Sequence, residues 1–186
     1  MTQEPLAETR RRIMETAGRL FYRNGIQATG VGEIVETARV SKRSLYQLFA
    51  SKDDLVAAYL RGLDDDGSVL NERGLDDLEV PARDRLLKLF DRPPISAGFR
   101  GCPWHNAAVE LPDPEHPGRA EVLTHKRWTR EHVTNAAKEI GARDPERLAR
   151  HLITLYEGVM SLATSLDDSA PFDDARELAL DLIEHA

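Results

Sequence analysis

The 186-residue sequence contains a single cysteine, Cys102, so no internal disulfide can form and cysteine usage gives no argument for an oxidising compartment. Its longest uninterrupted apolar run is Leu55 to Leu60, far short of the roughly 20 residues that a membrane-spanning helix needs. The first twenty residues carry Arg10, Arg11 and Arg12 beside an amphipathic pattern and lack the continuous apolar region of a secretory leader. A cytoplasmic protein with no membrane contact is expected. Also missing are a phosphate-cradling Gly-rich loop, a nucleophile elbow and a paired-carboxylate motif. Cys102 and His105 stand at C-x-x-H spacing, but no second close pair accompanies them, and His125 and His132 lie two turns apart. Neither a metal nor a cofactor is expected. No internal repeat, low-complexity tract or long heptad series is visible.

With 41% hydrophobic and 31% charged residues, the composition is that of a globular protein able to bury a core without disulfides or metals. The net charge of -7 is unevenly spread. Residues 1–50 hold eight Lys/Arg against five Asp/Glu, and residues 51–186 hold seventeen against twenty-seven. A small basic head therefore precedes a large acidic body, a division that suits a protein touching polyanionic phosphate with one end.

The head is patterned as helices. From about Ala7 to Asn24, Ile13, Ala17, Leu20 and Phe21 share one helical face, and Asn24-Gly25 is a stop signal. A second helix is expected over about Gly30 to Ala38, capped by Thr29 or Gly30, with Glu33 at its positive start and Ile34, Val35 and Ala38 as its apolar side. A third is expected over about Lys42 to Phe49, with Ser41 as N-cap. Its Leu45, Leu48 and Phe49 recur at i, i+3 and i+4, so Arg43 and Gln47 point away from the core, with Ser44 and Tyr46 on the flanks. Arginine can pair two acceptors on guanine and glutamine can pair both adenine positions. Arg43, Ser44 and Gln47 are thus candidate readers of base edges. Lys42, Tyr46 and Lys52 are candidate phosphate contacts, joined by Thr29 and the amide start of the second helix. The plainer alternative is a solvated polar face on an ordinary short helix.

Ser51-Lys52-Asp53-Asp54 opens a fourth helix carrying Leu55, Val56, Tyr59, Leu60 and Leu63. Taken together, Ile13, Ala17, Leu20-Phe21, Gly25, Thr29, Ile34, Ala38-Arg39-Val40-Ser41-Lys42, Leu45-Tyr46, Phe49, Ser51-Lys52 and Leu55 resemble the N-terminal domain of the TetR (tetracycline-repressor-type) family of bacterial transcriptional regulators. Two positions depart from that pattern. Arg39 stands where the family usually has glycine at the helix turn, and Leu48 stands where a polar or aromatic residue is common. Either the turn differs or local packing offsets a cost of roughly 1 kcal/mol for an L-residue in the left-handed region.

An acidic run, Asp64-Asp65-Asp66, begins a weakly patterned segment to about Val80 that is read as a solvated linker. Pro81 starts a helix burying Leu86, Leu87, Leu89 and Phe90, which Arg92-Pro93-Pro94 stops before a loop over residues 95–101. A short helix over Cys102 to Leu111 and a long one over about Arg119 to Ile140 follow, then two more over about Pro145 to Leu166 and Pro171 to His185. The fold class is all-α: a three-helix helix-turn-helix DNA-binding domain, 1–50, and a larger helical effector-binding and dimerisation domain, 51–186.

The resemblance implies a repressor that binds a near-palindromic double-stranded operator as a homodimer and is released by a small-molecule effector. It also implies that the last two helices pair with those of a second subunit in a four-helix bundle, with Met160, Ala163, Leu178 and Leu182 as the expected seam. The alternative is that both helices close the monomer core. For the effector pocket, Phe99, Cys102, Trp104, His105, Trp128, Tyr156 and Met160 are candidates, with Asn106 or His132 as further polar contacts; core packing is the plain reading of each taken singly. Cys102 also admits a thiol-based reading, as a sensor of oxidants or electrophiles. Two rivals of other classes stand beside the regulator. One is a helical cysteine-dependent enzyme using Cys102 with His105 or His132 as base and Glu110 or Asp113 as orienter; the other is a helical protein-interaction module.

Overall fold

The computed structural model describes residues 3–66, 71, 72, 74–93 and 99–186, with the side chains of 3–5 and 64–66 left aside. Residues 67–70 and 73 of the expected linker, Pro94 of the expected helix stop and residues 95–98 of the expected loop lie outside the described residues. Among the described residues there are nine helices and no strand, and no helix is long and apolar enough to cross a membrane. The helices are α1 (Gln3–Asn24), α2 (Val31–Ala38), α3 (Lys42–Leu48), α4 (Lys52–Asp66), α5 (Ala82–Lys88), α6 (Pro103–Glu110), α7 (Pro117–Glu139), α8 (Pro145–Leu166) and α9 (Pro171–Glu184). The chain forms two compact units, one of Met1–Asp66 with Pro103–Leu123, the other of Gly67–Cys102 with Thr124–Ala186.

In the first unit, α1 packs on α2, α3 and α4. The apolar stripe of α1 supplies Ile13, Ala17 and Phe21, which meet a core of Ile34, Ala38, Leu45, Phe49, Leu55 and Tyr59. Phe21 and Tyr59 lie 5.5 Å apart between centroids in a tilted pair, and Arg10 stacks over the Phe49 ring at 5.4 Å. Gly25 ends α1 at φ 96°, a conformation open to glycine, and its amide bonds back to the Phe21 carbonyl at 3.0 Å. The space a Cβ would need at Gly25 is taken by the Glu110 carboxylate of α6, 3.0 Å away.

In the second unit, α9 packs on α8 and α5. Leu152, Tyr156, Val159 and Ala163 of α8 and Phe172, Ala175 and Ala179 of α9 are buried, as their i, i+3, i+4 spacing predicts. Arg176 of α9 donates to the Leu87 carbonyl at 2.8 Å and reaches Asp91 at 2.5 Å, fixing α9 against the end of α5. Gly101 takes φ 71°, and a Cβ there would sit 2.6 Å from Thr164 Oγ1 of α8, so backbone and space both call for glycine.

The segment expected to be a solvated linker differs from that reading where it is described. Asn71, Glu72 and Leu75 are buried. Asn71 donates to the Leu89 carbonyl at 2.8 Å and the Asp91 carbonyl at 2.6 Å, and Arg85 donates to the Leu75 carbonyl at 3.1 Å. Turns held by single side-chain bonds have no helical period, which is why the pattern looked weak.

Candidate functional site

The α2–turn–α3 element is built from local signals. Gly30 is the N-cap of α2 and has no side chain with which to bond the first amides of that helix. Ser41 caps α3, its hydroxyl accepting from Ser44 N at 2.9 Å and sharing a 2.8 Å contact with Ser44 Oγ. Between them Arg39 adopts φ 53°, ψ 48°, its amide bonding to the Glu36 carbonyl and that of Val40 to the Val35 carbonyl. The turn therefore keeps the left-handed geometry glycine would give. Arg12 of α1 offsets the strain, donating from one guanidinium nitrogen to the carbonyls of Ala38 and Arg39.

On α3, Leu45 and Phe49 face the core and Leu48 is half-buried. Lys42, Arg43, Tyr46 and Gln47 are exposed and Ser44 is half-buried. Arg43 and Gln47, four residues apart, share one solvent-facing side, the arrangement that lets two long polar side chains enter a groove together.

Two expected phosphate contacts are corrected. Thr29 is buried, and its hydroxyl donates to the Gly25 carbonyl at 2.7 Å, so it holds the α1–α2 loop in place of a ligand. Lys52 is half-buried and donates from Nζ to the Ile26 carbonyl at 2.6 Å, tying the start of α4 to the same loop. A residue to which sequence reasoning gave a different role supports this loop. Glu110 of α6 accepts from Gln27 N at 2.9 Å through its carboxylate and from Gln27 Nε2 at 3.2 Å through its carbonyl. Its separation of 83 residues from Gln27 left no local signal.

Of the residues expected to line an effector pocket, Cys102, Tyr156 and Met160 are buried in the second unit, where Phe99 and Trp128 are half-buried. Trp104 is buried in the first unit, and His105 is exposed there, which removes His105 from a buried pocket. The rings of Trp128 and His132 lie 4.2 Å apart, and His132 Nδ1 is 2.8 Å from the Trp128 carbonyl. Cys102 is 2% exposed, an enclosed setting that speaks against a thiol made for solution oxidants, although Lys126 Nζ stands 3.5 Å from its sulfur. The polar groups around it include one that sequence reasoning passed over, Glu72 of the presumed linker. Its carboxylate lies 2.8 Å from His125 Nε2 and accepts from Thr129 Oγ1 at 3.1 Å. Lys126 is paired with Glu157; burial pulls its ammonium pKa down, but the negative fields of Cys102, Glu157 and Glu72 leave it raised.

The expected dimer seam is corrected in half its members. Met160 and Ala163 are buried within the subunit, because the wide apolar arc of α8 turns them toward its own core. Leu178 remains 53% exposed and Leu182 half-buried, and Leu162 and Leu166 of α8 are 49% and 58% exposed. Leu155, Leu178 and Leu182 line a groove of about 570 Å³ on the α8–α9 pair.

Comparison with known proteins agrees with this arrangement. Residues 13–59 match the model described as "Bacterial regulatory proteins, tetR family", and residues 84–179 match "Tetracyclin repressor-like, C-terminal domain". The HTH-type transcriptional regulator TtgR of Pseudomonas putida is 33% identical over 103 residues, 53% of this chain and 49% of that protein. The chain thus spans about half the length of such curated relatives. The HTH-type transcriptional repressor DhaR of Mycobacterium sp. is 27% identical over 158 residues, covering 81% of this chain and 80% of that one. The crystal structure of a TetR-family transcriptional regulator from Streptomyces coelicolor superposes with a TM-score of 0.84 at 31% identity, covering 96% of this chain and 95% of that one. These proteins are transcriptional regulators rather than enzymes. The chain belongs to the TetR family of bacterial regulatory proteins.

Proposed function

We propose that the protein is a DNA-binding transcriptional repressor of the cytoplasm, released from its operator by a small-molecule effector. The single observation that carries this reading is the exposed Arg43/Gln47 side of a capped helix set on a buried three-helix core. Residues 1–50 are the DNA-binding head and residues 51–186 the effector-binding and dimerisation body. Arg43, Ser44 and Gln47 read base edges in the major groove, and Lys42, Tyr46 and the free amide start of α2 hold phosphates. Thr29 and Lys52 position the loop between α1 and α2.

One head reads too little sequence for a specific site, and two heads on a homodimer place two α3 helices in successive major grooves. The exposed leucines of α8 and α9 are the surface for that dimer: Leu162 and Leu166 of α8 and Leu178 of α9 are the outward apolar residues that a second copy of the same pair covers. An effector bound in the second unit releases DNA by favouring the spacing of heads that does not fit the operator.

Footprinting on the DNA beside the protein's own gene tests the reading. Protection of an inverted repeat, lost on adding the effector, is expected. Uniform or absent protection contradicts it.

A further inference from the structure

Glu72 of the second unit is 4% exposed, and both donors described above, His125 Nε2 at 2.8 Å and Thr129 Oγ1 at 3.1 Å, go to one of its oxygens, Oε2. The other oxygen, Oε1, is buried without a hydrogen-bond partner among the described residues. So is the hydroxyl of Tyr156, whose residue is 1% exposed. Burial opposes a charge on Glu72, but the hydrogen bond and charge of His125, with Lys126 nearby, hold its carboxyl below the usual range. Tyr156 is pushed well above the usual phenol range, by burial first and then by the negative field of Glu72. The pair is thus a carboxylate that can accept and a phenol that keeps its proton. The two are neighbours, and neither Glu72 Oε1 nor the Tyr156 hydroxyl has a partner in full hydrogen-bonding geometry among the described residues.

An unmet buried carboxylate oxygen and an unmet buried hydroxyl each cost free energy, and a ligand that satisfies both recovers it. We propose that Glu72 and Tyr156 hold the neutral hydroxyl group of a small apolar effector, an alcohol or a phenol, which donates to Glu72 Oε1 and accepts from Tyr156. This rests on the effector-binding reading of the second unit. An ether, ester or ketone accepts without donating and leaves Glu72 unmet. A carboxylate is repelled by Glu72 and by Glu157. An amine meets Glu72, but Lys126 already supplies positive charge beside it and disfavours a second cation. The remainder of the molecule is apolar because the surroundings are: Phe90 meets Tyr156 edge-on at 6.3 Å, and Val159 and Met160 are buried on α8 one turn from Tyr156.

Calorimetric titration of the full chain with 4-ethyl-, 4-propyl- and 4-pentylphenol, and with the methyl ether of each, reads the site. The phenols are expected to bind at least tenfold more tightly than their ethers. Tyr156→Phe and Glu72→Gln, each verified as folded by circular dichroism, are expected to cut that preference below threefold; if Glu72→Gln does not fold, Tyr156→Phe decides. Equal binding of phenols and ethers, an unchanged preference in the folded variants, or no binding by any of the six overturns the proposal. DNA affinity measured on the same samples separates the two readings. A chain that binds an operator but shows no phenol preference loses the hydroxyl site and remains a regulator. One that prefers phenols but binds no DNA keeps the site and loses the regulator reading.

Discussion

The guanidinium of Arg12 on α1 donates to the carbonyl oxygens of Ala38 and Arg39, closing the left-handed turn between α2 and α3 from a distance of 27 residues in sequence. An arginine at φ 53° costs about 1–2 kcal/mol relative to ordinary backbone regions, and glycine at the same place avoids this while losing some chain entropy on folding. Arg39→Gly is therefore expected to stabilise the protein by about 0.5–1 kcal/mol in urea unfolding. Arg12→Ala is expected to destabilise it by roughly 1–3 kcal/mol, and by less when residue 39 is glycine. Equal losses in the two backgrounds would show that Arg12 does not support the strained turn.

On α3, Arg43→Ala is expected to cost roughly 1–3 kcal/mol on the operator and to relax selectivity at one base step, with little change on random DNA. Lys52→Ala behaves differently, because the Lys52 ammonium is spent on the Ile26 carbonyl at 2.6 Å. Loss of a charged hydrogen bond in a half-buried place lowers unfolding free energy by roughly 1–2 kcal/mol. The salt dependence of DNA binding stays as it was. A salt slope reduced by about one in Lys52→Ala would return that lysine to the phosphates.

Much of the head was legible in sequence because its signals are local. Ser41 before Lys42, the stripe of Leu45 and Phe49, and Gly25 after Asn24 each act within four residues, and all three stand where they were expected. The supports of the head were not legible. Arg12, Lys52 and Glu110 act on carbonyls and amides 26 to 83 residues away, and a long-range side-chain bond leaves no period behind it. Thr29 misled for the opposite reason: threonine before a helix is a familiar cap, but here its hydroxyl turns inward to Gly25. In the second unit, the same absence of period hid Glu72 inside an apparent linker, and the wide apolar arc of α8 concealed which leucines face out.

The outward leucines give a sharp expectation. Leu178→Glu places a charge on the exposed face of α9 at little cost to the monomer, since the side chain is half in solvent. Sedimentation velocity is expected to show a dimer for the parent chain and a monomer for the variant, with operator affinity falling at least tenfold. A variant that stays dimeric would move the interface away from this face.

The buried carboxylate predicts a pH dependence whose sign is fixed. Glu72 has a folded pKa below its ordinary value of 4.5, so its contribution is fully present above about pH 4.5. It is lost as pH falls through the lower folded value. Unfolding midpoints measured between pH 3 and 7 are expected to drop less steeply below pH 4.5 in Glu72→Gln than in the parent chain. Parallel curves would show that Glu72 titrates alike in the folded and unfolded states.

The most direct test is fluorescence anisotropy on a labelled duplex bearing the inverted repeat and on a scrambled duplex of equal length, across a salt series. Specific affinity at least about 10³ times the scrambled value, two chains per site, and a linear fall of log K with log salt on both duplexes are expected of a dimer with two basic heads. Equal affinity for the two duplexes, or binding indifferent to salt, contradicts the assignment of α3 as the element that reads DNA.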